Sequence, residues 1–339
     1  MTLPSTLVEP ALPTAAGPVS AAILDVLANQ RPALSVRPLD VPIYEADPYG
    51  LDLQLALCVC YELHYRGFRS VNPQWEWNPA LLHLRGRLEQ AFLDAVRRDV
   101  GDITPDDTAA GEMDAISREP VDGDGPSYYL RDTGTWEQMQ EYFVHRSVYH
   151  LKEGDPHAFA IPRLTGPAKA AFVAVEYDEY GGGRADQVHQ HLYANLMEAA
   201  GLDGTYLNYL DDVPAEALAS VNLMSLFGLH RELRGATIGH FASTEITSSP
   251  GSRRLVDALR RMDAPEACVT FYAEHVVADA VHEQVVRTDV VGNLVAREPH
   301  LEADVVFGIR ARDIVEDRLA DHLMACWKAG RSSLRRPLS

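Results

Sequence analysis

Three side chains in the stretch FYAEHVVADAVHEQVV (residues 271–286) have the types and spacing to hold a metal: His275, Asp279 and His282. On an α-helix, positions i, i+4 and i+7 fall within about 60° of one another, so two imidazoles and a carboxylate project the same way. Val276, Val277, Ala278, Ala280 and Val281 around them read as core. An inward stripe of such groups needs partners on facing helices. In GHFASTEITSS, Glu245 stands among small and weakly polar residues, where a carboxylate is costly unless something positive neutralises it. The segment AFVAVEYDEYGGGRADQVHQHLY adds Glu176, Asp178 and Glu179 at a helix end, then His189 and His191 on the next helix. Hard carboxylates with imidazoles and no thiolate suit two iron or manganese ions better than structural zinc.

The elements that must position these groups are helical. The chain has 339 residues, 46% hydrophobic and 23% charged, enough for a sizeable core. Buried or amphipathic helical patterns run over 51–68, 78–100, 135–153, 166–183, 184–201, 214–249, 264–290 and the last 30 or so residues before the tail. Asn78 reads as an N-cap with Pro79 in the first turn. Convincing strand alternation is absent, so the expected class is all-α. Residues 1–20 read as a loose arm and 21–134 as a helical extension with a polar, Gly/Pro/Asp-rich loop at about 101–134. Residues 135–330 read as the bundle and 331–339 as a frayed basic tail.

A net charge of −19 disfavours nucleic acid and anionic membrane as partners. Cys58 and Cys60 fit no zinc motif and read as small buried hydrophobes, and with Cys268 and Cys326 they suggest no disulfide framework. The N-terminus lacks a basic signal-type region and no 18-residue apolar run exists, so the expected setting is cytoplasmic.

The pattern H-x-x-x-D-x-x-H, together with YDEYGGGR (177–184) and SLFGLHRELRGATIGHFASTEITSS (225–249), resembles the haem-oxygenase-like diiron oxidases and oxygenases, also met as iron-containing redox enzymes. The likeness covers roughly residues 140–290. It implies a haem-oxygenase-like helical bundle whose core holds two irons in place of haem. The ligand order of N-oxygenating members, laid on this chain, gives Glu179, His189, Glu245, His275, Asp279 and His282. Some members add an earlier carboxylate, for which Glu153 in HLKEGDPH is the candidate. The resemblance further implies O2 and a small amine, amino-acid or fatty-acid-like substrate as partners, with N-oxygenation, oxidative decarboxylation or C–C fragmentation as outcomes. It is compatible with a separate electron donor, a homodimer, and a second iron (or manganese) site that is weak or empty.

Other groups have ordinary readings beside the chemical ones. Tyr177 and Tyr180 flank Glu179 and read mainly as packing; Arg184 could clamp a carboxylate or simply start a helix. His191, two residues from His189, should point elsewhere. His230 and His240 read as structural or supporting groups, and Glu62 and His64 lie outside the matched segment. Two rivals stay open: a haem-binding protein of the same fold, and a metal-free helical interaction protein whose buried polar groups form a network.

Overall fold

A computed structural model describes residues 9–28, 41, 43–120 and 122–338, with side chains throughout except at 44 and 277–280. Among the described residues every regular element is a helix: α1 (Pro18–Leu27), α2 (Leu51–Glu62), α3 (Pro79–Val100), α4 (Ala109–Ile116), α5 (Pro126–Asp132), α6 (Trp136–His150), α7 (Asp155–Ala158), α8 (Gly166–Glu179), α9 (His189–Ala199), α10 (Ala215–Leu229), α11 (Arg234–Arg261), α12 (Glu266–Val285), α13 (Asn293–Arg297) and α14 (Glu302–Lys328). None is long and apolar enough to cross a membrane.

Local rules account for many boundaries. Asn78 caps α3 by accepting from the Ala80 and Leu81 amides, and Pro79 at the first position gives up an N–H that would be orphaned anyway. Thr135 and Gln138 form a capping box at the start of α6. Helices α2 and α10 are apolar on nearly every face because they run through the interior. The 214–249 pattern, read as continuous, is divided at His230, whose extended backbone ends α10. Helix α12 passes directly into a π-helical stretch, Val286–Gly292.

The crossing of α11 and α14 is a close backbone approach. A Cβ on Gly239 would collide with the Val305 carbonyl oxygen, and one on Gly308 with that of Ala236, so only glycine permits the packing. This crossing, with α12 on the other side of α11, fixes the helix that carries Glu245.

The N-terminal third does not stand apart. Leu53, Leu57, Leu88 and Phe92 join the same hydrophobic cluster as Phe143, Leu226 and Leu319. Three expectations change. The segment 101–134 carries α4 and α5, and Arg310 ties it to α14 by pairing with Asp107 and Glu112. The arm is anchored where it is described, Thr14 donating from both its amide and hydroxyl to Asp211 at 2.8 Å, while residues 1–8 lie outside the described residues. The tail is not frayed through Leu338: Ser333 is buried and donates to Glu141 from its amide (2.9 Å) and hydroxyl (2.7 Å). A buried acceptor of this kind holds a polar tail that its basic composition alone would leave in water.

Candidate metal centre

Five elements bring the candidate groups together. Helix α8 presents Glu176 and Glu179 on the inner face that also carries Ala168, Phe172 and Val175. Helix α9 opens with His189, α11 places Glu245 one turn beyond Phe241, and α12 contributes His275 and His282. Glu153 comes from the turn after α6, where Gly154 at φ 84° allows a reversal that a side chain would strain.

The groups form two triads. In one, donor atoms of Glu153, His189 and His275 lie within 4.8 Å of one another; in the other, those of Glu179, Glu245 and His282 do so. Glu179 connects them, its Oε2 sitting 2.8 Å from His189 Nδ1. The His189 and His275 rings are 4.6 Å apart. Five of the six residues expected from the sequence are thus assembled, with Glu153 beside them. The side chain of Asp279 lies outside those described, so its place on α12 between His275 and His282 remains an expectation from spacing.

Neighbouring groups orient the triads. His275 Nδ1 lies 2.8 Å from the Phe271 carbonyl, which can only accept, so Nδ1 carries a proton and Nε2 faces Glu153 Oε1 at 3.7 Å. His150 Nδ1 holds Glu153 Oε1 at 2.7 Å. His282 lies between carboxylates, Nδ1 3.1 Å from Glu245 and Nε2 3.0 Å from Asp178, whose side chain is half exposed. The sequence reading named Asp178 but gave it no role; its contact crosses from α8 to α12 and has no local signature.

Charge decides what such a site requires. Glu153, Glu176, Glu179 and Glu245 are all at most 6% exposed. Burial works to raise the Glu153 pKa, but the His150 and His275 imidazoles outweigh it and hold the carboxyl well below its usual range. Burial likewise works against a charged His189, yet Glu179 and Glu153 lift its pKa above the ordinary value. Glu176 is pushed well above the usual range by burial and then by Glu179, Glu245 and other carboxylates. Neither Glu176 oxygen has a hydrogen-bond partner among the described residues. Four buried carboxylates against three imidazoles, one carboxylate orphaned, is a donor set that cations of iron type fit and complete.

A pocket of about 20 Å³ touches Glu153, Glu179, Glu245 and His275, spanning both triads. A larger cavity of about 380 Å³ reaches Glu153 and His275 from the α6–α11–α14 side. Its wall is mixed: Leu255, Phe271, Leu319 and Leu323 stand beside Thr244, Thr247 and Ser248 of α11, Arg312, and the ion pair Arg146–Glu316 at 2.7 Å.

The other residues fall elsewhere. Tyr177 is exposed and donates to the Gly182 carbonyl, Tyr180 donates to Asp155, and Arg184 is exposed. His191 belongs to neither triad. His230 pairs with Glu89 at 3.0 Å, and His240 Nδ1 meets His157 Nε2 at 3.2 Å. Glu62 is buried with Lys152 (3.3 Å) and Tyr206 (2.7 Å), while His64 sits beside Glu76 and Arg85. All four cysteines are buried and free.

Residues 140–317 match the family model of the iron-containing redox enzymes. Over 160 residues the chain is 27% identical to a nitrosourea synthase of Streptomyces achromogenes subsp. streptozoticus, an alignment covering 47% of this chain and 34% of that relative. The chain therefore aligns with about a third of the length of the curated relative it matches.

Proposed function

Because the chain belongs to the iron-containing redox enzymes and is an oxidoreductase of that family, we propose that it is a non-haem diiron oxidase or oxygenase acting on a small polar substrate. The observation that carries this reading is the pair of triads joined through Glu179. Two irons held there would supply O2 binding and the redox equivalents. On this reading Glu153, His189 and His275 hold one ion and Glu245 and His282, with Asp279, the other, Glu179 lying between. Phe271, through its carbonyl, and His150 keep His275 and Glu153 turned to the centre before any ion arrives, which lowers the cost of ordering them.

The cavity beside Glu153 and His275 supports the choice of substrate. A long aliphatic chain there could lie on Leu255, Phe271, Leu319 and Leu323 but would strip water from the Arg146–Glu316 pair, Arg312 and the α11 hydroxyls without replacing their hydrogen bonds. An amine or amino acid that carries an apolar part can satisfy both kinds of wall, so the reading favours these over a fatty acid. The matched relative is named for making a nitrosourea, which puts an amine nitrogen first among the groups to test. A separate electron donor and a homodimer belong to the same proposal. A haem in this position would be placed against four buried carboxylates, and a metal-free network would leave Glu176 without a partner.

The test is oxygen uptake by Fe(II)-loaded protein with a panel of amines, amino acids and fatty acids. Uptake coupled to loss of an amine or amino acid, and absent in His282→Ala, is the expected result. Uptake driven only by fatty acids would overturn the substrate assignment. A Soret band with no iron-dependent uptake would overturn the diiron one.

A further inference from the structure

We propose that Glu176 is an additional ligand of the centre, a carboxylate that turns into the Glu179–Glu245–His282 triad when that ion is bound. The inference rests on the diiron reading above. Glu176 is 2% exposed, and both of its oxygens are buried without a hydrogen-bond partner. A carboxylate kept for scaffolding is held by donors, as Glu141 is by Ser333 and Trp327 and Glu62 is by Tyr206 and Lys152. Glu176 has no such donors. After burial itself, the groups that bear most on it are the carboxylates Glu179 and Glu245, followed by Asp155 and Glu153. Two cations of the neighbouring interior have partners of their own: Lys152 pairs with Glu62, and Arg66 with Asp155 and Gln190. A cation bound by the triads would answer this arrangement.

Geometry gives it a route. Glu176 is three residues before Glu179 on α8, so the two side chains share the buried face of one helix. As placed, Glu176 stands outside both triads. Rotation about its side-chain bonds is the movement that would carry the carboxylate toward the ion held by Glu179. Burial and the surrounding carboxylates disfavour its charged, ligating form while the site holds no cation, and a divalent ion would favour it.

The probe is Mn(II), titrated into metal-free wild type, Glu176→Gln, Glu176→Ala and Glu153→Gln, with free Mn(II) counted by electron paramagnetic resonance. Wild type is expected to take two ions. Both Glu176 variants should keep one ion at wild-type affinity and bind the other about tenfold more weakly or worse, whereas Glu153→Gln weakens the opposite ion. Without metal, both Glu176 variants should melt no lower than wild type. In a Mn(II)-soaked crystal an oxygen of Glu176 should lie at coordination distance. Two wild-type ions with unchanged affinities in both Glu176 variants would overturn this inference alone. A wild type that binds no ion would overturn the diiron reading and this with it.

Discussion

Glu153 leaves the turn after α6 with one oxygen fixed by His150 at 2.7 Å and the other free of any hydrogen bond. His150 thus sets where the carboxylate points without belonging to either triad. His150→Ala should weaken metal binding by about 10- to 100-fold while leaving the fold intact. Fe(II) titration under nitrogen measures this, and an unchanged affinity would remove His150 from the account. At this scale the sequence was informative where spacing carries meaning: His275 and His282 lie on one helical face, and both reach the centre. Glu153 could be named only through resemblance, because it sits in a turn where no periodicity marks it. Glu176 and Asp178 were visible as acidic residues at a helix end, but which of them is orphaned and which touches His282 depends on contacts between distant helices.

Helices α7 and α11 meet through two buried histidines, His157 and His240. Burial pushes the His157 pKa down to about 4, only partly opposed by Glu153. Burial and the neighbouring His157 push His240 well below its usual value. An unfolded histidine titrates near 6.5. Between about pH 6.5 and 4 the unfolded chain therefore binds more protons than the folded one, and the stability these histidines contribute is present above 6.5 and lost as pH falls toward 4. The melting temperature of the metal-free protein should drop across that window, and His157→Gln should make the drop shallower. An identical slope in the variant would show that His157 takes no part. Element types were legible because amphipathic stripes announce helices such as α3. The break at His230 was not, since α10 is apolar all round and a helix buried on every side has no stripe to lose.

The whole molecule combines a net charge of −19 with an interior that buries carboxylates in several places. Each needs its own answer, and for the half-buried Glu316 beside them it is Arg146 across the α6–α14 contact. Arg146 and Arg312 outweigh the burial that would raise the Glu316 pKa and bring it to about 2, so the pair is ionised at neutral pH. Glu316→Gln leaves the half-buried Arg146 without its counter-charge and should cost about 1–2 kcal/mol, read from denaturant melts. A cost near zero would mean that the cavity wall tolerates the lone guanidinium. The sharing of one core between the N-terminal third and the bundle was not legible, because the packing of α2 on α10 and α3 on α14 joins residues far apart in sequence. The central claim is that one chain holds two irons, one in each triad. Anomalous iron scattering from crystals loaded with Fe(II) under nitrogen tests it most directly. The account predicts two peaks roughly 4 Å apart, one against Glu153, His189 and His275 and the other against Glu179, Glu245 and His282. A single peak shared by both triads, or none at either after saturating iron, would contradict it.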